Sequence, residues 1–149
     1  EGTTLRIVGD GPERHRLEGI VGVELLGALP PARVYEQMQA AAALVLPSIC
    51  YENFPRTLVE ACACGLPGLA SRLGALPELV QHARTGLLFD AGDASALAAA
   101  MTQATARPTL SREMGRAARA HYEQYWTGAA NHRQLTAIYR EASALRPAG

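Results

Sequence analysis

The sequence predicts an α/β fold: a Rossmann-like, mainly parallel sheet with helices on both faces and further helices at the C-terminal end. Three observations carry that prediction. Short apolar runs bounded by Gly, Pro and Ser alternate with segments of helical spacing, the pattern of successive βα units. The run Ala43-Leu44-Val45-Leu46 is apolar throughout and closes at Pro47-Ser48, as expected of a parallel strand covered on both faces. From about residue 107 onward only helix-like segments remain.

In chain order, Thr4 to Val8 reads as a strand and Gly9-Asp10-Gly11-Pro12 as the turn that ends it. Glu13 to about Gly19 reads as a short helix and Val21 to Leu26 as a second strand, closed by Gly27. Pro30-Pro31 opens a helix through Ala42 with Val34, Met38 and Ala41 or Ala42 on one face. After the apolar strand comes a helix that Pro55 should begin at its first position, with Asn53 or Phe54 as cap. Gly65 suits the left-handed residue that stops it. Pro67 to Ser71 is the next strand, Gly74 to about His82 a loop and short helix, and Thr85 to Phe89 a last strand. Asp93 or Ser95 caps an Ala-rich helix to about Ala106. Leu110 to Tyr125 and Ala129 to Leu145 are two more helices, the second ending before Pro147.

At 149 residues the chain has the size of one domain. Its 48% apolar and 19% charged content is ordinary for a globular protein, and a formal net charge of zero offers no footprint for nucleic acid. No apolar run reaches the roughly 18 residues of a membrane span, and no signal peptide is expected. The opening Glu1-Gly2-Thr3-Thr4 has no preceding Met, so the chain is expected to be an excised piece. Cys50, Cys62 and Cys64 lack C-x-x-C spacing and read as small buried or half-buried thiols, in keeping with a cytoplasmic protein.

Most chemistry-bearing patterns are missing. Ser48 and Ser71 lack a G-x-S-x-G setting, and His15, His82, His121 and His132 stand singly in helix-like segments as expected surface residues. No His, Cys and Asp cluster has metal-ligand spacing. Tyr122, Tyr125, Trp126 and Tyr139 fit packing of the last helices, and Arg112, Arg116 and Arg119 a solvated helix face. The turn at Gly9 to Pro12 lacks the third Gly of a dinucleotide fingerprint, yet a Gly-rich turn at a strand's carboxyl end is where open α/β sheets bind ligands. Asp10 and its glycines either only make the turn or also admit a ligand.

The segment from Ser48 to Ala61 stands apart. Glu52 and Glu60, separated by seven residues, flank a helix start whose Arg56, Thr57 and Leu58 amides should lack intrahelical partners. Such an end attracts phosphate, and carboxylates beside it suit hydroxyl groups, which points to a sugar-bearing phosphate.

Residues 52–67, Glu52-Asn53-Phe54-Pro55-Arg56-Thr57-Leu58-Val59-Glu60-Ala61-Cys62-Ala63-Cys64-Gly65-Leu66-Pro67, resemble the E-x7-E signature of the retaining group 1, or family 4, glycosyltransferases. Ile7 to Pro12, Val23 to Gly27, Gly74 to Glu78 and Thr85 to Phe89 extend the resemblance over most of residues 5–100. The resemblance implies one half of a GT-B architecture: residues 1–149 as a C-terminal, donor-binding domain lacking its first βα unit, with a helical tail from about 107. It implies that Glu60 holds the ribose of a nucleotide diphosphate sugar. Glu52, the implied catalytic position, contacts donor-sugar hydroxyls. The amides around the segment Phe54, Pro55, Arg56, Thr57 and Leu58, proline itself having no N–H, hold the diphosphate, Gly9 and Gly11 admit the nucleotide, and Gly27 to Leu29 lie along the base. No metal and no cofactor is expected, only the nucleotide sugar as donor substrate.

The family's upstream basic pair and its acceptor-binding domain have no counterpart in these residues, so the isolated chain is expected to be inactive. A partner N-terminal domain, and peripheral membrane association of the full-length protein, are further expectations. Two alternatives remain: an isomerase such as a nucleotide-sugar 2-epimerase, and a non-catalytic nucleotide or sugar-phosphate binding module.

Overall fold

The computed structural model describes residues 2–144. In order they form β1 (Leu5–Val8), α1 (Arg14–Leu17), β2 (Val23–Gly27), α2 (Pro31–Ala40), β3 (Leu44–Leu46), α3 (Arg56–Ala63), β4 (Gly68–Ser71), α4 (Leu76–Leu79), β5 (Gly86–Phe89), α5 (Ala94–Ala106), α6 (Pro108–Tyr125) and α7 (Gly128–Ala144). The strict strand–helix alternation up to α5 is the predicted one, and every strand pair is parallel. The strands pair in two sets, β1 with β2 and β3-β4-β5, and the chain forms two compact units that divide after Ala41.

In the first unit Leu5 pairs with Val23 and Ile7 with Leu25, and the register shifts before Val8 meets Gly27. β2 begins at Val23 rather than Val21. Gly22 has φ +83, which no extended strand tolerates, and Val21 is left 99% exposed. Pro31 takes the first position of α2 behind Pro30 as cap. Met38 is buried and Val34 half-buried as the helical spacing requires. Ala41 and Ala42 instead are exposed, because the backbone turns extended at Ala41.

In the second unit β4 lies between β3 and β5, with Leu44 opposite Gly68 and Gly68 opposite Gly86. Alternate side chains of a strand face opposite ways, and here each face is covered. Ala70 and Leu88 join Leu58 and Cys62 of α3, Leu76 and Val80 around α4, and Ala118 of α6. Leu69, Leu87 and Phe89 join Ala100 and Ala104 of α5 and Met114 of α6. β4 and β5 are buried along their whole length. β3 was expected to be equally buried but is half-buried throughout, since it pairs on one side only within this sheet.

The helix ends follow local chemistry. Gly65, at φ +71, closes α3: its N–H donates to Cys62 O and that of Leu66 to Ala61 O, satisfying carbonyls that the helix leaves open. Of the two caps considered for α5, Asp93 is the one used, its Oδ1 accepting from Ala96 N–H at 2.9 Å.

α6 is no detached tail. It touches both core faces, and Gly115 meets the α3–β4 turn so closely that an added Cβ would stand 2.1 Å from Gly65 O. Arg119 also donates to the carbonyl oxygen of Ala63. Of the aromatics assigned to packing, Tyr122 and Trp126 pack against the core, whereas Tyr125 and Tyr139 are 42% and 62% exposed. The predicted end of α7 at Leu145, before Pro147, lies outside the described residues.

Candidate functional site

The carboxyl end of β3 leads into an irregular segment, residues 47–55, before α3 begins. Glu52 lies in it, half-buried. Ser48 Oγ donates to Glu52 Oε1 at 3.0 Å, which commits one carboxylate oxygen and orients the other. The Glu52 backbone is buttressed by the turn after β4. Ala75 N–H donates to Glu52 O at 3.2 Å, and Gly74, at φ +58, lies where a Cβ would come within 3.1 Å of both Glu52 N and O. A side chain at position 74 would be strained and would push the Glu52 peptide away.

α3 starts one residue later than the sequence predicted. Pro55 is its cap rather than its first residue: with ψ 115 its backbone is extended, and its carbonyl accepts from Leu58 and Val59 N–H. Neither Asn53 nor Phe54 caps the helix, and no side chain does. Leu58 N–H is therefore satisfied. Among the described residues the Arg56 and Thr57 amides find no backbone partner, leaving two open donors where three were expected. Leu58 is fully buried and anchors this turn to the sheet; burying a leucine contributes about 2 kcal/mol.

Glu60 sits on the first turns of α3 with its side chain 25% exposed, and it pairs with Arg56 Nη2 at 2.9 Å. The Arg56 side chain is 89% exposed, so the pair is a surface contact that a ligand can displace at low cost. Phe54 is 52% exposed and meets the Trp126 ring edge-on, with centroids 5.8 Å apart.

The glycine positions belong to the first unit. Gly9, at φ +126, donates its N–H to Gly27 O at 2.8 Å, so these two predicted residues are neighbours. Gly11 N–H donates to Asp10 Oδ1 at 2.9 Å, giving Asp10 a turn-making role. Leu29 follows β2 and is half-buried. Arg14 brings Nη1 to 3.9 Å from where a Cβ of Gly27 would be, a cation beside this turn that spacing in the sequence did not single out. The bond from Ser48 to Glu52 and the approach of Trp126 to Phe54 were likewise missed, since neither carries a local motif.

Other candidates separate out. Cys62 is buried and its thiol is pushed up to about 11 by that burial. Burial also raises Cys64, with Arg119 opposing and Glu60 reinforcing the shift, so neither is a thiolate at neutral pH. Cys50 is exposed, against expectation, because it lies in the irregular segment beyond the sheet. Of the four histidines, His121 is not a surface residue. It is half-buried, with ring centroids of Tyr125 and Trp126 each at 4.7 Å, and burial followed by the Arg84 charge lowers its pKa. His82 is exposed but structural, its Nδ1 accepting from Leu88 N–H. Arg112, Arg116 and Arg119 line an open surface cavity of about 430 Å3 that includes neither Glu52 nor Glu60. Among the described residues no group of three or more His, Cys, Asp or Glu is placed to hold a metal ion, and no helix is long and apolar enough to cross a membrane.

Comparison with known proteins bears on this arrangement. Residues 1–107 match the family model described as glycosyl transferases group 1. The chain is 36% identical over 122 residues to the exopolysaccharide phosphotransferase SCO2592 of Streptomyces coelicolor, covering 76% of this chain and 13% of that protein. It is 38% identical over 122 residues to the alpha-maltose-1-phosphate synthase of Mycolicibacterium smegmatis, covering 78% and 31%. Sucrose-phosphate synthase from Thermosynechococcus elongatus superposes with a TM-score of 0.81 at 32% identity, over 96% of this chain and 39% of that one. Anabaena Alr3699/HepE, solved in complex with UDP-glucose, superposes with a TM-score of 0.79 at 25% identity, over 93% and 41%. The chain thus spans well under half the length of each of these proteins. Its α/β fold with parallel strands is that of glycosyltransferases with the GT-B architecture, and the chain belongs to the group 1 glycosyl transferases.

Proposed function

We propose that this chain is the donor-binding part of a retaining glycosyltransferase, holding a nucleotide diphosphate sugar for transfer of its glycosyl group to an acceptor. The observation that carries the reading is the pair of half-buried carboxylates, Glu52 and Glu60, on either side of a helix start with two open amides. Family membership, and the UDP-glucose in the Anabaena structure, support it. None of the four compared proteins is an isomerase by name, so the epimerase alternative gains nothing from them.

In this reading Glu60 accepts hydrogen bonds from the ribose hydroxyls once Arg56 swings aside. Glu52, oriented by Ser48 and by the Gly74-Ala75 turn, contacts the donor-sugar hydroxyls with its free oxygen. The Arg56 and Thr57 amides receive the diphosphate. The bond between the anomeric carbon and the diphosphate oxygen breaks while the acceptor oxygen bonds the same face of the carbon and passes its hydroxyl proton to the departing diphosphate oxygen. Charge then grows on the departing diphosphate, where the helix start and its dipole stabilise it. Gly9, Gly11, Gly27 and Leu29 serve the nucleotide. We take residues 1–149 as one donor-binding domain that works with an acceptor-binding domain in a cytoplasmic protein, without metal or cofactor, and with peripheral contact to a membrane. The short span of the chain relative to its relatives supports a partner domain. Alone, without the family's upstream basic pair, the chain should turn over no donor.

The test is a thermal-shift titration of the protein that carries this domain against nucleotide diphosphate sugars, UDP-glucose first. The preferred donor should raise the midpoint in proportion to the logarithm of its concentration over its dissociation constant. Glu60→Ala should abolish the shift, and Glu123→Ala, which removes only an exposed partner of Arg119, should keep it. Equal shifts in both variants would refute the ribose assignment.

A further inference from the structure

The segment that carries Glu52 is long for a βα connection and has few anchors. Across residues 47–54 the one backbone hydrogen bond among the described residues is that from Ala75 N–H to Glu52 O. The Ser48–Glu52 bond lies within the segment itself, and the helix that follows has no side-chain cap. Gly74 and Ala75 therefore hold the Glu52 peptide at one point. A second point is needed to set the direction in which its carboxylate leaves the chain.

That second point is the edge-on contact of Phe54 with Trp126, the rings at 87° and 5.8 Å. Trp126 is itself well fixed. It closes α6, its N–H donating to Tyr122 O at 2.9 Å. It packs against the core cluster that contains Leu58 and Cys62, and His121 abuts its ring at 82°. We propose that Trp126 is a positioning residue for the donor site, holding the Glu52 segment in place through Phe54. The proposal rests on the reading of Glu52 as a donor ligand. A segment held before binding need not be ordered by the ligand, so its loss should weaken donor binding more than it slows bound donor.

Two measurements test it, one of them without ligand. Trp126→Leu keeps apolar volume against the core and removes the ring edge; Trp126→Phe restores a ring. Trypsin cleavage after the exposed Arg56 requires the segment and the first turn of α3 to open. Trp126→Leu should accelerate it about five-fold, Trp126→Phe should stay near wild type, and cleavage after Arg33 in α2 should not change in either. Equal cleavage in wild type and Trp126→Leu, or equal acceleration by Leu and Phe, overturns the proposal. In the protein that carries this domain, KM for UDP-glucose should rise about two- to ten-fold in Trp126→Leu with little change in kcat, and recover in Trp126→Phe. A fall in kcat alone, or an unchanged KM in a turning-over enzyme, also overturns it. If the wild type turns over no nucleotide sugar, the functional reading fails, and the cleavage rates alone decide the positioning role.

Discussion

In the first unit, nothing stands within 4 Å of a Cβ added at Gly9 or Gly11; in the second, a Cβ at Gly86 or Gly115 would lie 2.0 or 2.1 Å from a backbone oxygen. The first pair serves the turn after β1, where Gly9 needs its φ of +126 and the surrounding space is open. The second pair lets backbones touch, β5 against β4 and α6 against the end of α3. Burial divides the same way, because Met38 is the one buried apolar side chain described in the first unit. Space for a ligand and close packing are competing uses of the same residue. Here the open glycines sit in the thinly packed unit, and the carboxylate segment sits on the densely packed one.

The largest effect that would test this contrast is Gly115→Ala. Its new methyl group has no room against Gly65, so the α3–α6 contact must part, at a cost of about 3 kcal/mol or more in chemical denaturation. A loss below about 1 kcal/mol would show that the contact is softer than the geometry implies. Gly9→Ala is intermediate, costing about 1 to 2 kcal/mol from backbone strain alone, while Gly11→Ala should stay within about 0.5 kcal/mol. Equal losses at positions 9 and 11 would contradict the assignment of Gly9 to conformation.

The smallest effect concerns the aromatic cluster beside Trp126. Burial, with Arg84 second, holds the folded pKa of His121 below its ordinary 6.5. The unfolded chain therefore takes up the proton first as pH falls. The stabilising contribution is complete above about pH 6.5 and is lost as pH drops through the lowered folded value. His121→Phe, which keeps a ring against Tyr125 and Trp126, should flatten the fall in melting temperature between about pH 7.5 and pH 5.5. An unchanged slope would assign the pH dependence elsewhere.

Much of the candidate site was legible in the residues because its signals are local. Glu52 and Glu60 flank a helix start that an apolar strand precedes, and Gly65 and Asp93 mark helix ends by side-chain size or capping chemistry. The misreadings come from backbone and ring geometry that residue spacing does not encode. Pro55 was placed inside α3 because proline suits the first helical position, yet the backbone turns extended there and its carbonyl becomes the first acceptor. His121 looked solvated because nothing in its helix spacing reveals that Trp126 folds back over it.

By itself the sequence determined the order of strands and helices, their parallel sense, the left-handed stop at Gly65 and the carboxylate pair beside a helix start. Each follows from residues within a few positions of one another, where propensity, capping and hydrophobic period act. Only the tertiary structure decided that β3 comes first in the three-stranded order β3-β4-β5 and that α6 reaches both faces of that sheet. It alone decided that the Gly74-Ala75 turn and Trp126 hold the segment that carries Glu52. Those contacts join residues far apart in the chain, and they are selected by how side-chain volumes fit when the sheet is covered, which no local spacing encodes.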